Sequence, residues 1–137
     1  ITKGGRDRAI RPEVVRMSRV LIIDDSATEV AHLRGILEQA GYDTLAAQSG
    51  EEGVSVAKTE MPDVILIDIV MPDLNGFQAT RQLSKHDATK NIPVIVVSTK
   101  SEQTDRIWAM RQGACEYLTK PVDESALVHA VNAVLVA

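Results

Sequence analysis

The sequence has one cysteine, Cys115, in 137 residues, which excludes an internal disulfide framework and a multi-cysteine zinc site. It has no apolar run near the ~18 residues of a membrane span, and its mean hydropathy is −0.03, so a soluble chain without membrane insertion is expected. Positive charge is short outside the first 16 residues. That leader carries Lys3, Arg6, Arg8, Arg11 and Arg16 against Asp7 and Glu13, leaving ten basic and seventeen acidic groups, net −7, for the rest. An acidic domain is a poor ligand for phosphate backbones, because nucleic-acid affinity rests on Lys and Arg releasing counterions. Repeats, low-complexity tracts and long linkers are absent too. What is present, 45% hydrophobic residues in a length typical of one domain, excludes a disordered chain and permits a core without covalent staples. Residues 1–16 read as a leader arm or an appended tail with no apolar targeting segment, and residues 17–137 as the domain, with Met17 as its natural start.

From Ser18 the chain alternates β-branched runs with segments of helical period. Arg19–Ile23 is a short continuous apolar run ending in Asp24 and Asp25, as in a strand buried on both faces. Ser26 to Glu29 reads as a capping box, followed by Val30, Leu33, Ile36, Leu37 and Ala40 at helical spacing and a stop at Gly41. A weaker strand over 42–47 precedes a helix opened by Ser49–Glu52 and ended before Pro62. Asp63–Asp68 is the most hydrophobic strand, and a turn over 71–76 leads to a helix from about Phe77 to Lys85. Ile92–Val97 is a fourth strand ending at Ser98 and Thr99. A helix near 101–112, a strand from Cys115 to Leu118, Lys120-Pro121 and an amphipathic helix with Ala126, Leu127, Ala130, Val131, Val134 and Leu135 complete the chain. Strict alternation predicts a doubly wound α/β fold: a five-stranded parallel sheet, order 2-1-3-4-5, with five helices.

In such a sheet, ligands bind at the C-terminal ends of the strands. Asp24 and Asp25 end strand one, Asp68 strand three, Ser98 strand four and Lys120 strand five. Clustered carboxylates stay ionised together only beside a cation; otherwise one shifts its pKa and takes up a proton. Hard oxygen donors suit Mg²⁺, and with Lys120 and the Ser98 hydroxyl they make a phosphoryl-accepting site around one carboxylate nucleophile. Each residue alone has a plainer reading: Asp25 as a helix cap, Ser98 as a strand-end hydroxyl, Tyr117 as a half-buried aromatic, Lys120 as a surface lysine. Asp63 and Asp73 start a strand and lie in a loop, outside the site. Cys115 reads as a small strand hydrophobe, Trp108 as packing between helices ahead of a partner hot spot, and His32, His86 and His129 as surface groups.

Ile22-Ile-Asp-Asp25, Ile67-Asp-Ile-Val-Met-Pro72 with Asn75-Gly76, Pro93-Val-Ile-Val-Val-Ser98 and Gly113-Ala-Cys-Glu-Tyr-Leu-Thr-Lys-Pro121 occur in this order over residues 18–136. In these motifs the chain resembles the response-regulator receiver domains of two-component systems, whose fold is flavodoxin-like. The resemblance implies Asp68 as phosphoacceptor and Asp25, Asp68 and the Val70 carbonyl as Mg²⁺ ligands, with Asp24 acting through water. It implies Lys120 beside Asp68 with a cis bond to Pro121, and Ser98 and Tyr117 as a switch pair. The implied donor is a histidine kinase or phosphotransfer domain and the implied output a downstream protein, through a surface with Gln103, Arg106, Met110 and Tyr117. A cytoplasmic monomer or weak dimer is expected, an enzyme only in accepting and hydrolysing its own phosphoryl group. No output domain is expected after Ala137. Asn75–Leu83 with Trp108, Arg111–Ala114 and Tyr117–Val122 is similar to stand-alone regulators of type IV pilus twitching motility, an architecture that chemotaxis regulators share. Ser98 stands where Thr is commoner, Thr99 where a small residue is usual, and Val70 and Lys100 at positions that tune dephosphorylation. The rivals are a receiver-like scaffold that only binds partners and a haloacid-dehalogenase-type phosphohydrolase. The latter wants a second Asp where Val70 stands.

Overall fold

The computed structural model describes residues 18–72 and 75–136. In chain order the elements are β1 (Arg19–Ile23), α1 (Ala27–Gln39), β2 (Asp43–Ala47), α2 (Gly50–Glu60) and β3 (Val64–Ile67), then α3 (Gly76–Lys85), β4 (Val94–Ser98), α4 (Gln103–Arg111), β5 (Glu116–Thr119) and α5 (Glu124–Val136). The strands form one parallel sheet in the order β2-β1-β3-β4-β5, the expected flavodoxin-like arrangement. Strand order reverses at β1, so the ends of β1 and β3 lie side by side where a doubly wound sheet opens a crevice.

The pleat explains why the central strands are apolar throughout. Leu21, Ile23, Ile65, Ile67, Val94 and Val96 point to one face, against Val54 and Ala57 of α2, Ala79 and Leu83 of α3 and Ala109 of α4. The alternate residues Val20, Ile22, Val64, Leu66, Ile95 and Val97 point to the other face, against Leu33, Ile36 and Leu37 of α1 and Leu127, Ala130 and Val131 of α5. Each fully buried Leu or Ile stabilises the fold by about 1.5–3 kcal/mol relative to exposure, so the two layers fix the strand ends on which the site stands.

Helix termini follow their caps. Ser26 and Ser49 accept from the backbone N–H of Glu29 and Glu52. Asn75 and Gln78 form a reciprocal capping box that starts α3 one residue before the expected Phe77. At α4 the Asp105 Oδ2 accepts from Glu102 N–H at 3.2 Å, and the helix starts at Gln103 instead of 101. Gly41 and Gly113 sit at φ +100° and +114°, the left-handed region the helix stops need. Gly76 has a different constraint. A Cβ there would stand 2.2 Å from the Asp68 carbonyl oxygen and 2.4 Å from the Ile69 Cα. The start of α3 is therefore in backbone contact with the end of β3.

Candidate functional site

Asp24 and Asp68 immediately follow β1 and β3, and Lys120 follows β5. Their side chains are 3%, 9% and 7% exposed. The Lys120 ammonium donates to Asp24 Oδ2 at 2.8 Å and to Asp68 Oδ2 at 3.0 Å, bridging the two carboxylates. The remaining oxygens are also engaged: Asp24 Oδ1 accepts from Ser26 N–H at 2.9 Å and Asp68 Oδ1 from Val70 N–H at 3.0 Å. The Lys120–Pro121 bond is cis, as the resemblance implied.

Glu29 joins this group, its carboxylate 3.8 Å from Lys120 Nζ. The expected capping box is half made, because the Ser26 N–H that Glu29 would have satisfied is taken by Asp24. Three carboxylates thus share one ammonium, and the charges explain two protonation shifts. Burial disfavours the Lys120 charge, but the two carboxylates outweigh it and hold the ammonium above its usual range. Burial pushes Asp24 above the usual carboxylate range, and half-shared hydrogen bonds from Lys120 and Ser26 do not restore it.

Asp25 is exposed beside this group and does not cap α1, whose N-cap is Ser26. Among the described residues no three His, Cys, Asp or Glu side chains form a ready metal cage. The cluster drawn from the sequence as three carboxylates is two carboxylates bridged by lysine, with Asp25 at the rim. The donors still fit Mg²⁺, which takes one or two carboxylates and keeps several waters. Anionic charge also exceeds cationic charge at the site, which another cation would balance. Val70 is half exposed, and Thr99 and Lys100 are exposed.

Ser98 is fully buried at the end of β4, and its hydroxyl accepts from Lys100 N–H at 3.3 Å. The Tyr117 hydroxyl donates to the Lys100 carbonyl at 2.7 Å, so both members of the expected switch pair hold the same residue. Tyr117 is 2% exposed, which corrects its placement on the partner surface and the half-buried reading. It alternates with the outward Glu116, and α4 roofs its face. The Arg106 guanidinium lies 5.1 Å from the ring centroid and donates to the Tyr117 carbonyl at 3.4 Å. Burial, then the charge of Asp105, push the phenol above its usual 10, against the opposing pull of the Ser98 hydroxyl and Arg106. Gln103, Arg106 and Met110 are exposed.

Trp108 is 52% exposed rather than packed between helices, since Ala109 is the one buried residue of α4. Cys115 is exposed one residue before β5, its thiol donating to the Val94 carbonyl at 3.3 Å, so it is not a buried strand hydrophobe. Ala126 is exposed as well. The three histidines are exposed, and Asp63 lies at the far end of the sheet, accepting from Arg19 N–H at 2.7 Å. Asp73 and the leader 1–16 lie outside the described residues.

The family described as the response regulator receiver domain matches residues 20–132. The chain belongs to the response-regulator receiver family. Protein PilH of Pseudomonas aeruginosa PAO1 is 57% identical over 119 residues, covering 87% of this chain and 98% of PilH. Other curated relatives, 33% identical, are longer, and the chain spans 48% of one and 25% of another. Among solved structures, a response regulator from Chloroflexus aurantiacus superposes with a TM-score of 0.86 at 29% identity, over 89% of this chain and all of that one. The receiver domain of the P. aeruginosa sensor kinase PA1611 shares the fold at 24% identity, with a TM-score of 0.83 over 89% of this chain and all of its own. That domain holds a magnesium ion in its active-site cleft. Receivers of this family work in two-component signalling, between histidine kinases or phosphotransfer proteins and downstream targets.

Proposed function

We propose that this receiver, residues 17–137, accepts a phosphoryl group on Asp68 from the phosphohistidine of a histidine kinase or phosphotransfer domain. The observation that carries the reading is the Lys120 ammonium bridging Asp24 and Asp68 at the switch point of the sheet. An Asp68 oxygen attacks phosphorus, the P–N bond of phosphohistidine breaks, and the imidazole leaves with the electron pair. Lys120, 3.0 Å from that carboxylate, neutralises charge on the oxygens being brought to it. Asp25, Asp68 and the Val70 carbonyl would hold Mg²⁺, with Asp24 through water. When bound, the ion supplies the positive charge that lets an anionic phosphoryl group approach anionic residues.

A phosphoryl oxygen on Asp68 then draws the Ser98 hydroxyl inward as a charge-assisted donor. Because Ser98 and Tyr117 both hold Lys100, that movement is felt by the 98–101 loop. With Tyr117 already inward in the structure, phosphorylation acts by favouring this arrangement. The output is a protein contact through Gln103, Arg106 and Met110, without nucleic acid, by a cytoplasmic monomer or weak dimer. Identity of 57% to PilH and the pilus-regulator motifs favour type IV pilus motility, with chemotaxis as the neighbouring pathway. No helix among the described residues is long and apolar enough to cross a membrane. Incubation with a phosphorylated histidine kinase should move label to the chain with Mg²⁺ present and not with a chelator. Transfer that ignores chelation would overturn this reading.

A further inference from the structure

Lys85 and Arg111 stand in the last turns of α3 and α4, where cations favour the helix dipoles, but Arg81 has no such role. These three cations line one cleft of about 310 Å³, together with Ser84, Trp108 and Gly113, and no acid lines it. None of the three is paired with a carboxylate among the described residues, on a domain whose net charge is −7. The Arg111 guanidinium lies 5.7 Å from the centroid of the half-exposed Trp108 ring. The walls are fixed to each other: Ser84 Oγ donates to the Gln112 carbonyl at 2.8 Å, and a Cβ on Gly113 would stand 2.5 Å from Ser84 Cβ.

The geometry points to this α3–α4 cleft as a docking site for an acidic segment of a partner protein, one that seats an apolar side chain beside Trp108 and carboxylates on Arg81, Lys85 and Arg111. Exposed Trp and Arg are the residue types that carry protein interfaces, and three uncompensated cations supply the complementarity that steers an acidic partner. The volume is at the lower limit of small-ligand pockets and suits one or two side chains. A cleft of one or two side chains takes a short segment whole, whereas a polynucleotide would carry its phosphates on across the acidic surface around it, so a protein segment is the better occupant. The cleft is separate from the Asp68 cluster, and Gln103, Arg106 and Met110 are not among the residues that line it.

Trp108 is the sole tryptophan, so its emission reports on this cleft alone. The full chain, without phosphodonor, is titrated at low ionic strength with a blocked peptide of glutamates interrupted by leucines. A saturable change in emission is expected, weakened severalfold by added salt and by at least about tenfold in Arg81→Glu/Lys85→Glu/Arg111→Glu, each cation counting for up to about fivefold. All three positions are exposed. If the triple variant fails to fold by circular dichroism, Lys85→Glu and Arg81→Glu are measured singly, each with a severalfold loss expected. Equal binding by charge-reversed and parent chains would overturn the proposal. So would equal binding of a lysine–leucine peptide, or of an oligothymidylate with the same charge dependence, which would make the cleft a general polyanion site.

Discussion

Gly76→Ala tests whether the fold and the site share a backbone contact. The added Cβ would meet the Asp68 carbonyl oxygen at 2.2 Å and the Ile69 Cα at 2.4 Å, and neither is a side chain that can swing away. Gly76 N–H also donates to the Ile69 carbonyl at 3.3 Å, so the α3 terminus cannot retreat without losing that bond. Overpacking costs ~1–3 kcal/mol, and a clash with main chain belongs at the upper end. The helix propensity of alanine returns up to about 1 kcal/mol, leaving a net loss of about 2 kcal/mol and a Tm lower by about 8 °C. Relief by moving Asp68 shifts the reactive carboxylate by close to an ångström, a displacement that can cost about a hundredfold in rate. Urea denaturation and the rate of phosphorylation by a small phosphodonor, read by intact mass, measure the two effects. Gly35→Ala is the control, because a Cβ there meets nothing within 4 Å, and it should stabilise the chain by about 0.5–1 kcal/mol. If Gly76→Ala is as stable as the parent and is phosphorylated at the same rate, the contact between α3 and β3 does not set the site.

Asp25→Ala should abolish measurable Mg²⁺ binding by calorimetry while changing stability by no more than about 0.5 kcal/mol, since the side chain is exposed. Unchanged Mg²⁺ affinity would remove Asp25 from the site. Ser98→Ala should still accept phosphate but lose most of the state-dependent change in partner affinity, typically ~1–3 kcal/mol of coupling. A variant that discriminates the two states like the parent would refute the relay through Lys100. Cys115 titrates above its usual 9.0, because partial burial of the sulfur outweighs its backbone hydrogen bonds. Its thiolate fraction at pH 7–8 is therefore below that of free cysteine. Alkylation by iodoacetamide should be slower than for glutathione there and level off only above pH 9; a rate already level by pH 8 would contradict this.

Asp24, Asp68, Ser98 and Lys120 were legible in the sequence because strand ends can be read from where apolar runs stop, and a doubly wound sheet brings those ends together. Glu29 was not, since Ser26-x-x-Glu29 fits a backbone capping box, and only the structure shows Asp24 taking the N–H that Glu29 would have met. The box at Asn75 and Gln78 could have been found from the same spacing rule. Tyr117 illustrates a different limit. Alternation in a four-residue edge strand gives two faces but does not say which is roofed, and α4 decides it. In α4 itself Ile107, Trp108 and Met110 imitate a packed face, yet the helix rests on Ala109 and leaves the larger side chains outside.

The most direct test of the account is the intact mass of the parent chain and of Asp68→Asn after incubation with Mg²⁺ and a small phosphodonor. The parent should gain one phosphoryl group and the variant none, with both folded by circular dichroism. A phosphoryl adduct of equal extent on Asp68→Asn would contradict the assignment of Asp68 as the acceptor.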